Sequence, residues 1–188
     1  MAPPMKILAF AGSLRGGSFN RMLLAEAIRR IEGKAEIDRL DLREVAMPMY
    51  DGDLEASSGL PPGAAAFKER IAAADGLLIA TPEYNNSIPG GLKNAIDWAS
   101  RGGGNPFRGK VALVVGASPG AAGAARGVLA LRQVLQALAV YIVPLPVLVS
   151  LADHAFDEAG HLREPRTATQ LERACAELLR VTALLKSA

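Results

Sequence analysis

Residues 6–20 read Lys-Ile-Leu-Ala-Phe-Ala-Gly-Ser-Leu-Arg-Gly-Gly-Ser-Phe-Asn. An apolar run, Ile7 to Ala11, breaks at Gly12 into a short turn of mostly small and polar residues. Beyond it, Leu24, Ile28 and Ile31 fall on one helical face, with Ser18 and Asn20 as capping candidates. A buried run, a polar turn and an amphipathic helix together open a βαβ unit. The same grammar recurs along the chain. Residues 77–80 (Leu-Leu-Ile-Ala) stop at Thr81-Pro82, residues 111–115 (Val-Ala-Leu-Val-Val) stop at Gly116, and residues 140–149 are apolar and rich in valine. These runs are nearly continuous rather than alternating, as in parallel strands buried on both faces. Residues 37–42 are more mixed and read as a strand nearer the edge. Helical patterns fill the gaps: 64–73, Pro89 to about Trp98, a stripe of Val128, Leu131, Leu135 and Leu138, and a last stripe of Leu171, Ala174, Leu178, Thr182 and Leu185. Five strands alternating with five helices predict one α/β domain over residues 1–188, its parallel sheet covered by helices on both faces.

Composition narrows the function classes. Half of the 188 residues are hydrophobic, ample for a core and far from the profile of disorder. Lys and Arg number 21 against 19 Asp and Glu, and no polybasic run occurs, so nucleic acid is not an expected partner. A single cysteine, Cys175, excludes an internal disulfide framework. No apolar stretch approaches the ~20 residues that span a bilayer. Residues 1–6 carry no charged segment leading into a long apolar one, so the expectation is a cytoplasmic protein without a signal peptide.

Open α/β sheets bind ligands outside the carboxyl ends of their strands, so the strand ends carry the functional information. The first, Gly12 to Asn20, leads into a helix whose free N–H groups and positive dipole end favour an anion. Ser13, Ser18 and Asn20 add neutral donors, and Arg15 adds a charged fork, a set suited to a phosphate monoester. The same residues also fit a plain strand-to-helix turn with capping serines. Ser18 stands where a Walker A loop needs lysine, and Leu14 where a dinucleotide fingerprint needs its second glycine. The third strand end, Thr81 to Trp98, offers a proline-stiffened turn, an aromatic, two amides and a helix start, a mixture that suits a flat amphipathic ring. The fourth, Ala117-Ser-Pro-Gly-Ala-Ala-Gly123, supplies a second wall of small residues. Residues 43–63 read as a loop of ~20 residues, long enough to be functional or mobile. Arg101 to Pro106 reads as a flexible spacer.

Gly-Ser-Leu-Arg-x-x-Ser-x-Asn at 12–20, with Pro-Glu-Tyr-Asn-x-Ser-x-Pro-Gly-x-Leu-Lys-Asn-Ala-Ile-Asp-Trp at 82–98, resembles the NADPH-dependent FMN reductase family. Within it, the chain looks most similar to the soluble quinone, chromate and azo-dye reductases. The resemblance implies a flavodoxin-like three-layer sandwich with sheet order 2-1-3-4-5. It also implies non-covalently bound FMN, NADPH as reductant with NADH not excluded, and a homodimer or homotetramer. Carried over by residue, Ser13, Arg15, Ser18 and Asn20 would hold the FMN phosphate. Pro82, Glu83, Tyr84 and Asn85 would line the isoalloxazine, largely through backbone groups, and Ser118 would form the opposite wall. Gly123-Ala-Ala-Arg126 matches a segment associated with subunit contacts, although Leu129 stands where some relatives carry a tyrosine.

The implied reaction passes a hydride from NADPH to flavin N5, then two electrons to a small acceptor such as a quinone, chromate or an azo dye. It needs no side-chain acid or base, so no catalytic residue is assigned; Tyr84 is the candidate substrate contact. Two readings compete with it: a flavodoxin-type electron carrier, and a reductase releasing free FMNH2 to a partner oxygenase. Carriers are commonly strongly acidic and this chain is nearly neutral, which favours the enzyme. His154 and His161, lacking an evident partner carboxylate or metal spacing, read as surface residues, and Cys175 as core. Glu83 reads as a residue that matters through its backbone, and no metal site is expected.

Overall fold

The structure is a computed structural model describing residues 4–187. Residues 1–3, which bear on the reading of the N-terminus, and residue 188 lie outside it. The elements run β1 (Lys6–Ala11), α1 (Phe19–Ile31), β2 (Glu36–Leu40), a 3-10 turn (Leu42–Val45), α2 (Gly52–Ser58), α3 (Pro62–Ala73), β3 (Gly76–Ala80), α4 (Gly90–Ala99), β4 (Val111–Ala117), α5 (Ala125–Ala137), β5 (Tyr141–Ile142), β6 (Val147–Val149) and α6 (Pro165–Lys186). All pairings are parallel in the order β2-β1-β3-β4-β5, and β6 also pairs with β4. This is the flavodoxin-like order that the resemblance implied.

The strand patterns follow from position in the sheet. Every residue of β3 and β4 is buried, because both strands are central and covered on both faces. β2 pairs only with β1 and keeps Glu36 and Arg39 in solvent, hence its mixed sequence. Alternate strand residues face opposite layers. Ile7, Ala9, Leu78, Leu113 and Val115 meet Leu23, Ala27 and Ile31 of α1 and Leu171, Ala174, Cys175 and Leu178 of α6. Leu8, Phe10, Leu77, Ile79 and Val114 meet Phe67 and Ile71 of α3, Leu92 and Ile96 of α4, and Leu131 and Leu135 of α5. Phe10 and Phe67 pack edge to face at 5.4 Å, fully buried, so truncating Phe67 to alanine costs about 3–5 kcal/mol.

Five sequence expectations are corrected. The run 140–149 is two short strands, because Pro144 and Pro146 remove two ladder donors between them. Residues 43–63 are largely ordered into the 3-10 turn, α2 and the start of α3. α2 has no buried residue and therefore no apolar stripe to read. The segment ahead of it is pinned to α4 instead: Asn94 Nδ2 and Trp98 Nε1 donate to Pro48 O at 2.8 and 2.9 Å, and Tyr50 N donates to Asn94 Oδ1 at 2.7 Å. The glycine-rich spacer is organised as well. Gly102, Gly103 and Gly104 have φ of 64°, 79° and 70°, and Lys68 Nζ donates to the carbonyls of Arg101, Gly103 (2.6 Å) and Gly104 (3.2 Å). Finally, Pro89 caps α4 rather than beginning it, and Asn20 lies inside α1, which Ser18 caps.

Candidate functional site

The chain leaves β1 for β2 on one side and returns through β3 and β4 on the other, so the strand order reverses between β1 and β3. Strand-end turns diverge there and leave a crevice. The ladder extends one residue beyond each strand: Gly12 N donates to Ala80 O (2.8 Å), Thr81 N to Val115 O (2.9 Å) and Ser118 N to Val149 O (3.0 Å). Three turns therefore start from one level. They enclose a cavity of about 80 Å³ lined by Ser13, Arg15, Ser18, Phe19, Asn20, Pro82, Glu83, Tyr84, Ala117, Ser118 and Pro119. Of the nine positions picked out by sequence, all but Asn85 line it.

The first turn is a cradle of donors. Among the described residues, the N–H groups of Leu14, Gly16, Gly17 and Ser18 meet no protein acceptor. Ser13 Oγ accepts from Arg15 N (3.4 Å) and Ser18 Oγ from Asn20 N (3.2 Å). α1 has no acidic residue in its first turn to offset its positive end. Arg21 braces the loop, donating from Nε to Ser13 O (3.4 Å) and from Nη2 to Asp41 (2.7 Å). Arg43, bonded to the same carboxylate, and then Arg21 hold Asp41 well below the ordinary carboxylate range against the opposing pull of desolvation. The Arg15 side chain is exposed and has no protein partner among the described residues.

Asn20 has a structural role beside the expected one. Its Nδ2 donates to Ala117 O (2.8 Å) and its Oδ1 accepts from Ala117 N (2.9 Å). The buried side chain thereby ties α1 to the end of β4 and shapes the cradle, using one of its two Nδ2 hydrogens.

The second turn is stiff. Tyr84 N and Ser87 N exchange bonds with each other's carbonyls at 2.9 and 3.0 Å, and Asn85 and Asn86 sit at φ 50° and 63°. Two left-handed residues closing a two-residue hairpin make a type I′ turn, where asparagine is well tolerated. Asn85 thus serves the turn rather than the wall. Tyr84 stands at its head, 45% exposed. Ser118 Oγ, in the third turn, accepts from Gly120 N at 3.1 Å.

Glu83 acts through its side chain, which sequence reasoning missed. Oε2 accepts from Arg126 N (2.8 Å) and Gly127 N (3.3 Å), and Oε1 from Arg126 Nε (2.7 Å). Burial works to raise this carboxyl, but the bonds from Arg126 and Gly127 outweigh it and hold it below its ordinary value. With Glu83 paired, Arg15 and the α1 dipole leave the cavity electropositive.

The remaining candidates fall elsewhere. His154 is exposed, 3.2 Å from Asp153. His161 does have a carboxylate partner: its Nδ1 lies 3.1 Å from Oε2 of the buried Glu26, which also pairs with Arg29 and Arg30. Cys175 is in the core, and burial pushes its thiol up to about 12. Among the described residues, no cluster of three or more His, Cys, Asp or Glu side chains could hold a metal ion. Larger cavities, about 500 Å³ beside Arg166 and Arg173 and about 430 Å³ beside Lys68, lie away from the strand-end turns.

A family model described as NADPH-dependent FMN reductase matches residues 5–154. An NAD(P)H-dependent FMN reductase of Pseudomonas aeruginosa is 46% identical over 167 residues, covering 88% of this chain and 89% of the relative. A quinone reductase of Escherichia coli K12 is 40% identical over 147 residues, covering 78% of this chain and 77% of the relative. Among solved structures, a flavoenzyme NAD(P)H:(acceptor) oxidoreductase from Paracoccus denitrificans aligns with a TM-score of 0.82 at 32% identity, covering 95% of this chain and 97% of the other.

Proposed function

The chain belongs to the NADPH-dependent FMN reductase family, and from that premise we propose that its strand-end cleft holds FMN and serves electron transfer from NAD(P)H to a quinone. The observation that carries the reading is the donor set of the first turn. Unpaired N–H groups, two serine hydroxyls, an uncommitted arginine and a positive helix end match a phosphate dianion. The residues therefore fit FMN, which when bound supplies the two-electron chemistry between nicotinamide and acceptor.

The chain's own work is to bind and to orient. Ser13, Arg15, Ser18 and the loop N–H groups hold the phosphate end, with Asn20 fixing the helix behind them. Pro82, Glu83 and Tyr84 form one side and Ser118 the other, Asn85 shapes the turn that carries Tyr84, and Tyr84 faces the incoming nicotinamide or acceptor. The cavity of about 80 Å³ is far below the ~300–1,000 Å³ of a site that encloses its ligand. FMN held here would be gripped at one end and open along the rest, which would admit acceptors of several shapes, flat quinones and azo dyes as well as tetrahedral chromate. No side chain in the cleft is placed to act as a base, since the Glu83 carboxylate is already occupied.

We place the active protein in the cytoplasm, with NADPH or NADH as reductant, as one FMN-binding domain that assembles as a homodimer or homotetramer. No helix of the described residues is long and apolar enough to cross a membrane. The match of Gly123-Ala-Ala-Arg126 to a segment associated with subunit contacts supports the assembly, and light scattering of the purified protein tests it. The function itself is tested by the visible spectrum under nitrogen. A flavin spectrum that NADPH bleaches and a quinone restores is expected. A flavin spectrum indifferent to NADPH would make the protein an electron carrier. A colourless protein that consumes NADPH only with added FMN would make it a supplier of free reduced flavin.

A further inference from the structure

We propose that Glu83 is a positioning residue whose carboxylate clamps the Pro82–Ser87 turn to the first turn of α5 and so fixes Tyr84 at the cleft, an inference that rests on the FMN reading above. The need for such a clamp is visible at α5 itself. The helix starts after Ala124, a left-handed residue (φ 66°) with no side-chain hydrogen bond to offer as a cap. The first N–H groups of a helix require acceptors from outside it. Those of Arg126 and Gly127 find theirs on Glu83, 43 and 44 residues earlier, while the Arg126 guanidinium takes the other carboxylate oxygen. The side chain of Glu83 is 10% exposed and that of Arg126 57%, so the guanidinium forms the outer lid of the contact.

Gly127 completes it. A Cβ there would lie 2.8 Å from Pro82 O and 3.1 Å from Glu83 Cα, so only glycine lets helix and turn meet backbone to backbone. Beyond the clamp, the type I′ turn is closed only by the reciprocal Tyr84–Ser87 bonds. Its remaining freedoms are to pivot near Pro82 and to open those two bonds, and Glu83 restrains both. Loosening the clamp shifts Tyr84 and lets the turn open more often. A cap that merely stabilised α5 would have no such reach.

The test uses Glu83→Gln, which keeps the size but removes the charge and puts an N–H2 group against N–H donors. FMN affinity, the visible circular dichroism of bound flavin at saturation, and hydrogen exchange of the FMN-free protein are measured beside wild type. The expected result is a roughly tenfold weaker FMN affinity, the size of one charge-assisted bond, with an altered dichroism band. Faster exchange is expected in both 82–87 and 125–128. Unchanged affinity and dichroism, or faster exchange confined to 125–128, would overturn the clamp and leave only a helix cap. If wild type itself binds no FMN, the reading of the site fails, while the exchange pattern still decides the clamp. Should Glu83→Gln not purify as a folded protein, Gly127→Ala forces turn and helix apart from the other side and carries the same expectations.

Discussion

Arg15→Ala isolates the phosphate end of the cleft. Arg15 is exposed and makes no hydrogen bond or ion pair through its side chain among the described residues, so its removal disturbs nothing that holds the fold. The expected change in unfolding free energy is within about 0.5 kcal/mol, as for other unengaged surface positions. Its loss from a phosphate contact is larger. A hydrogen bond to a charged group contributes about 1.5–3 kcal/mol, or about 10- to 150-fold in dissociation constant. The remaining donors, four loop N–H groups and two hydroxyls, stay in place and keep binding measurable. Titration by quenching of flavin fluorescence gives the constant directly. Riboflavin, which lacks the phosphate, is the internal control: its affinity should not change on substitution, so the wild-type preference for FMN should shrink by the same factor. Raising ionic strength should narrow the difference, because the contact is solvent-exposed. An unchanged FMN constant, or an equal loss for riboflavin, would refute the assignment of Arg15 to the phosphate.

Two further substitutions probe the frame around the cleft. Asn20→Ala leaves the N–H and C=O of buried Ala117 without their partners and should cost about 2–4 kcal/mol in urea unfolding; a cost below 1 kcal/mol would mean that the tie is dispensable. Glu26 is held at about 2: burial works to raise it, but Arg30, Arg29 and His161 prevail. A lowered native value places its stabilisation above the unfolded value near 4.5, to be lost as pH falls towards 2. Glu26→Gln should therefore be less stable than wild type at pH 7, by about 2 kcal/mol. That is below the ~3–5 kcal/mol for breaking a fully buried pair, because the Arg29 side chain remains 37% exposed. The two urea midpoints should converge as pH falls from 4.5 to 2, and a constant difference across that range would contradict the ion-pair account.

Legibility in the sequence followed the range of the forces involved. β1, β3 and β4 were readable because burial on both faces leaves an unbroken apolar run, and the cradle because its donors lie within one nine-residue turn. α2 was not readable, having no buried face, and the split of β5 from β6 was obscured because Val143 and Val147 are both buried on either side of the prolines. The deeper failures concern polar side chains with distant partners. Asn20 meets Ala117 across 97 residues, Glu83 meets Arg126 across 43, and His161 meets Glu26 across 135. Local sequence gives a donor or acceptor no address. One clue was present at 123–127: a helix start of Gly-Ala-Ala-Arg-Gly offers no capping side chain and so requires an acceptor from elsewhere.

Both margins of the sheet are closed to strand addition. On one side, β2 shows solvent a strand bearing Glu36, Asp38 and Arg39, each in an ion pair. On the other, β5 and β6 are two and three residues long, separated by prolines, and Pro146 O is already taken by Gln170. Edges that are charged, short or proline-broken resist templating by another chain. A second copy therefore finds no ladder to extend, and runaway strand-on-strand growth has no place to begin. Contact between copies is thereby left to helix and loop faces, where a change of surface charge leaves the sheet and the cleft as they are.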